Sequence, residues 1–203
     1  MCTMTEVSSL TGRLLVATPA LADPNFDRAV VLLLDHDEKG SLGVVLNRPT
    51  PVDVTDILEG WGRLAGAPGV VFQGGPVSLD SALGVAVIPG DEGTSPGTRK
   101  RTPALRDPVG FRRVHGAIGL VDLEAPPELL APALGSLRIF AGYSGWGPGQ
   151  LESELEDGAW YVVESEPGDV SSPDPERLWR AVLRRQRSEL AMVATYPDDA
   201  SLN

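Results

Sequence analysis

Residues 28–35 read RAVVLLLD, a β-branched and leucine run that is apolar at every interior position. A short unbroken apolar run of this kind suits a strand buried on both faces. It passes through His36–Gly40, a polar stretch ending in glycine, into residues 42–46 (LGVVL). Two such runs joined by a short glycine-ended turn predict an antiparallel hairpin. Asn47-Arg48-Pro49 follows, and in this reading it ends the second strand, because proline cannot donate to a ladder and restricts the residue before it.

The rest of the chain alternates similar short runs with turn chemistry. Residues 13–17, apolar after Arg13, stop at Thr18-Pro19. Ile57, Leu58, Trp61 and Leu64 recur at helical spacing behind Asp53, which predicts a capped helix over 54–64, weakened by Gly60 and Gly62. Strands are expected over 69–72, 83–88, 113–123 and 159–164, and helices over 126–134, 148–157 and 175–187. Residues 89–110 form a long loop rich in Gly, Pro, Thr and charge, and residues 1–11 read as a flexible end. Hairpins with irregularly inserted helices argue for a single α+β domain rather than a regular βαβ array.

Charge and composition remove several classes of function. With 28 acidic and 17 basic side chains the formal net charge is −11, the wrong sign for a chain that must neutralise phosphates. Direct DNA binding is therefore not expected. Eleven of the bases cluster in 99–113 and 177–187, most simply as a solvated loop and a solvated helix face. No apolar run reaches the length of a membrane span. The single cysteine, Cys2, excludes an internal disulfide and fits a reducing, cytoplasmic setting.

Catalytic chemistry finds little to work with. Two histidines, His36 and His115, cannot assemble a tetrahedral metal site with one cysteine, and Asp35-His36-Asp37 reads as a solvated hairpin turn. Neither a metal nor another cofactor is implied. Gly142-Tyr143-Ser144-Gly145 fails the nucleophile-elbow pattern by one position. The spacing Gly145-x-Gly147-x-Gly149 lacks the third glycine of a dinucleotide fingerprint, because Gln150 stands there. The glycines instead mark a shaped turn, since Tyr143 and Trp146 sit where a flexible linker would carry small polar residues. Free amides at the start of the following helix would favour an anion, and Gln150 and Glu154, four apart, would brace the loop.

Three blocks together resemble the YqgE/AlgH family of bacterial proteins. They are Gly12-Arg13-Leu14-Leu15-Val16-Ala17-Thr18-Pro19; Gly40 through Pro49 with Gln73-Gly74-Gly75-Pro76-Val77; and Gly142 through Leu151 with Gly158-Ala159-Trp160. The ending, residues 196–203, resembles the actinobacterial branch. This chain has Gly84-Val85-Ala86 where many relatives carry a histidine after the Gly-Gly-Pro block. The resemblance implies a branched, partly barrel-like, mainly antiparallel sheet surrounded by helices, and no established enzymatic activity.

Two functional readings follow. In the first, a non-enzymatic cytosolic protein with a regulatory or ligand-binding role gathers Asn47, Arg48, Gln73, Gly74, Gly75, Tyr143, Ser144, Gly145, Trp146, Gly147 and Gln150 around a small anionic ligand or peptide. Arg48, Gln73 and residues 145–150 are then expected to line one cleft, with Glu154 as the competing partner of Arg48. In the second, a hydrolase or transferase uses Ser144 or His36.

Overall fold

A computed structural model describes residues 9–89 and 107–197. Most of the end and the long loop expected above, together with Cys2, Arg99, Lys100, Arg101 and Arg106, lie outside the described residues. The strands are β1 (Leu14–Ala17), β2 (Val30–Asp37), β3 (Gly40–Val45), β4 (Pro49–Asp53), β5 (Val70–Gln73), β6 (Val77–Val87), β7 (Phe111–His115), β8 (Ile118–Val121), β9 (Ser136–Trp146) and β10 (Trp160–Val163). Short helices accompany them: α1 (Val54–Ile57), α2 (Pro127–Leu130), α3 (Gln150–Glu156), α4 (Pro167–Val170), α5 (Leu178–Arg184) and α6 (Leu190–Val193).

The strands run β10-β1-β2-β3-β9-β6-β8-β7, all antiparallel along this path. The sheet branches at β9. One edge of that strand carries β6, while the opposite edge pairs with β5 at Phe140 and Ala141 and then with β3 from Ser144 to Trp146. The β5–β9 pairing is parallel, and β4 hangs on β5. The protein is thus a single-domain α+β fold on a curled, mainly antiparallel sheet.

β2 and β3 pair antiparallel, with Val31 opposite Val45 and His36 opposite Ser41, as the hairpin reading expects. β2 is buried on both faces. Val30, Leu32 and Leu34 pack with Trp179, Val182 and Leu183 of α5, whereas Val31 and Leu33 pack with Leu151, Trp146 and Trp160. Each such side chain contributes about 1.5–3 kcal/mol of burial, which fixes the strand's register.

Several boundaries differ from the sequence reading. The helix expected over 54–64 is a four-residue α1, capped by the Asp53 carboxylate on the Thr55 amide at 2.8 Å, followed by a separate 3-10 turn at Glu59–Trp61. The break falls at Leu58, whose φ of −133° and ψ of 70° leave the helical region before either glycine is reached. The second strand ends before Asn47-Arg48-Pro49 as expected, and Pro49 then opens β4, an edge strand where a missing N–H costs nothing. The strand expected over 113–123 is a hairpin, β7–β8, turned at Gly116 with φ 53°. The run expected as a glycine loop from Gly142 is mostly strand, because β9 continues to Trp146. Only Gly147, Pro148 and Gly149 turn the chain into α3. Among the described residues, no helix is long and apolar enough to cross a membrane.

Candidate functional site

Three connections meet at the end of β3. Arg48 leaves that strand, Gln73 ends β5, Gly75 and Pro76 turn into β6, and Pro24 and Asn25 belong to the β1–β2 connection. With Val45 they line a pocket of about 60 Å3. Backbone bonds fix this meeting point: the Gln73 amide donates to Arg48 O at 2.8 Å, and the Val45 amide to Gly74 O at 2.9 Å. Asn47 clamps the neighbouring connection, accepting from the Val30 amide at 3.0 Å and donating to Arg28 O at 2.9 Å.

Arg48 is the charged group of the pocket. Its guanidinium donates from Nη2 to the Asp27 carbonyl and more weakly from Nη1 to its neighbour Asn47 O at 3.4 Å. No carboxylate contacts it among the described residues. Desolvation lowers its pKa, an effect the charge of Asp27 partly offsets from a distance. A half-buried guanidinium held by carbonyls keeps its positive charge available to an anion.

The glycines of the pocket are dictated by close backbone approach. A Cβ on Gly74 would lie 2.4 Å from Gly142 O, and one on Gly75 (φ 156°) 2.2 Å from Tyr143 O. The Gly-Gly-Pro turn therefore presses directly on the Gly-Tyr-Ser segment of β9. Ser144 completes the seam, donating to Gly74 O at 3.1 Å.

The Gly145–Gln150 stretch does not join the cleft. Trp146 pairs with Ser41 at the beginning of β3, whereas Arg48 lies beyond its end, so the strand's length separates them. The expected common cleft thus divides: Asn47, Arg48, Gln73, Gly74 and Gly75 gather at one end, with Tyr143 and Ser144 behind them, and Gly145, Trp146, Gly147 and Gln150 at the other. The Gly147 amide is taken by Gln150 Oε1 at 3.0 Å, and Gln150 Nε2 donates to Glu154 at 3.1 Å. One amide of the anion site expected there is thus already taken by a side chain of the same segment. Glu154 does not reach Arg48; it accepts from both indoles, Trp146 Nε1 at 2.9 Å and Trp160 Nε1 at 2.8 Å. Trp146 and Trp160 clasp Phe26, at 6.2 and 5.5 Å between ring centres.

The expected nucleophiles are poorly presented. Ser144 is wholly buried and spends its hydroxyl on a carbonyl. His36 is not a solvated turn residue but is 4% exposed, since the β2 ladder runs past it. Its Nδ1 lies 2.8 Å from Ser41 Oγ, and its Nε2 3.6 Å from Glu152. This hydroxyl–imidazole–carboxylate row ties α3 to the hairpin, and none of the three side chains lines the pocket at Arg48. Among the described residues, no His, Cys, Asp and Glu side chains cluster as metal ligands would. A broader groove of about 600 Å3 between α1 and α2, bordered by Glu59, Arg63, Leu64, Pro127 and Glu128, takes in none of the candidate ligand-binding or catalytic residues expected from the sequence.

A family model described as AlgH-like, DUF179, matches residues 14–191. The chain belongs to the AlgH-like family. A UPF0301 protein of Streptomyces avermitilis is 84% identical over 200 residues, covering 98% of each chain, and one of Thermobifida fusca is 48% identical, covering 96% of each. A Corynebacterium diphtheriae protein of known crystal structure is 32% identical, with a TM-score of 0.80 over 92% of both chains. The solution structure of AlgH from Pseudomonas aeruginosa is 27% identical, with a TM-score of 0.61 over 98% of this chain and all of that one.

In this AlgH-like chain, the blocks that carried the resemblance are bound by the contacts just described: the Gly-Gly-Pro turn on β9, and the Gly-Trp-Gly segment under Phe26. Sequence reasoning missed Pro24, Asn25, Val45 and Pro76 as lining residues. The Pro-Asn pair between two strands is a turn signal, but nothing local to it says which turn it will face. It also missed Arg138, a lone charge inside the apolar run of β9, which is 2% exposed, donates from Nη2 to Ala67 O and Ser172 O at 2.9 Å each, and lies 4.2 Å over Phe72. Burial lowers its pKa to about 10.

Proposed function

We propose that this AlgH-like protein binds a small anionic group, the carboxylate or phosphate of a small molecule or peptide, at Arg48, and does so without catalysing a reaction. The observation that carries the reading is a half-buried guanidinium with no carboxylate partner, facing a pocket that also collects Gln73, Asn25 and the Gly75 backbone. Carbonyl anchors pre-orient the arginine, so little side-chain entropy is lost when an anion arrives. The pocket matches a single anionic head group in size, with the remainder of a ligand left outside. A binding role also suits a chain whose motif serine, Ser144, is consumed by structure. The single cysteine fits a cytosolic setting for this role.

The test is a titration with inorganic phosphate and with acetate, followed by the backbone amide shifts of Gln73 and Gly75. The wild-type protein should saturate with one of the two. Arg48→Ala should weaken that binding about tenfold or more while melting close to wild type. Equal binding by the variant, or no saturable shift in the wild type with either anion, would sink the reading.

A further inference from the structure

The wall of the pocket that carries Pro24 and Asn25 is a short turn. The Phe26 and Asp27 amides both donate to Asp23 O, and the turn ends at Arg28 with φ 53°, a left-handed value that a non-glycine side chain adopts at a cost. Something outside the turn must hold Arg28 there. Its guanidinium lies 4.7 Å over the Trp179 ring and donates from Nη2 to Pro197 O. Trp179 is itself pinned, donating to Ala17 O at 2.9 Å. On the backbone side, Arg28 O takes the Asn47 amide group, and the adjacent Asp27 O takes Arg48 Nη2.

A continuous chain of contacts therefore runs from the segment at Pro197, through the Arg28 side chain, into the two carbonyls that orient Asn47 and Arg48. We infer that Arg28 is a positioning residue for the Arg48 pocket, and that the chain segment around Ala194–Pro197 sets the affinity of that pocket through it. The inference rests on the anion-binding reading above. Arg180 supplies an internal comparison. It holds the same segment by donating to Ala194 O at 2.5 Å and Tyr196 O at 3.1 Å, and it lies 5.9 Å from the same Trp179 ring, whereas it is the backbone of Arg28 that continues into Asn47.

The experiment compares Arg28→Gly with Arg180→Ala in the full chain, by inorganic phosphate and acetate titration and by thermal melting. Glycine accepts the left-handed turn freely, so Arg28→Gly deletes the side-chain tether without adding backbone strain. Arg28→Gly should weaken anion binding about tenfold. Arg180→Ala should leave the affinity within about twofold while lowering the melting temperature. Wild-type affinity in Arg28→Gly overturns the inference, and so does an equal loss in both variants, which would mark a general loosening of the fold. Absence of wild-type binding would instead strike the anion-binding reading on which it rests.

Discussion

At the scale of single residues, the same motif supplies one group that faces the pocket and several that are spent on architecture. Arg48 keeps its charge unpaired because its bonds end on carbonyls. Glu154 is the reverse case: its carboxylate is consumed by two indoles and an amide. The indoles belong to Trp146 and Trp160, which are 6% and 5% exposed, so water offers them little replacement. Glu154→Ala should destabilise the protein by about 3 kcal/mol, since each buried donor left without an acceptor costs roughly 1–3 kcal/mol. Urea unfolding is the measurement, and Glu154→Gln, which retains an acceptor oxygen, should lose about half as much. A variant with the wild-type midpoint would mean that solvent reaches both indoles. Gln150 and Glu154 were legible as a brace because four residues on a helix set them side by side. The partners of Arg48 were not, since Asp27 is 21 residues away in sequence.

At the scale of elements, glycine proved the most informative and the most easily misread residue. The segment from Gly142 to Trp146 looks like a loop by composition, yet it is the second half of β9. Gly142 is required there because backbones cross closely at the branch. Gly142 has φ 71°, and a Cβ there would lie 2.7 Å from Val77 O and 2.8 Å from Gly75 O. Gly145 has open space by comparison, its nearest atom being Tyr143 Cε2 at 3.6 Å. Gly142→Ala should therefore cost about 3 kcal/mol, combining left-handed strain of roughly 1–2 kcal/mol with backbone repulsion. Gly145→Ala should stay within about 1 kcal/mol of wild type. Similar losses for the two, measured by denaturant midpoint, would argue against this account of the branch. The helices were placed well but drawn too long, because periodicity locates an apolar face without showing where the hydrogen-bond ladder breaks.

At the scale of the whole molecule, the net charge of −11 is not relieved by a basic face on α5. Of the arginines in 177–187, Arg177 pairs with Asp174 at 3.2 Å, Arg180 holds carbonyls near the end of the described chain, and Arg185 is locked to the buried Asp169 at 2.5 Å. Bases engaged in this way neutralise few phosphates. No saturable binding of duplex DNA is expected at about 0.15 M salt, where long-range attraction is already screened. Fluorescence anisotropy checks this, and a saturating, sequence-dependent rise would contradict it.

The sequence by itself determined the antiparallel β2–β3 hairpin and the α+β class, because these follow from local periodicity and from what Pro and Gly do to a backbone. The tertiary structure alone decided that β9 carries three partners, and that Arg48 meets Gln73 and Asn25 while the Gly-Trp-Gly segment sits a strand's length away. Those facts depend on which edges pair across long stretches of chain, and no local pattern encodes that choice.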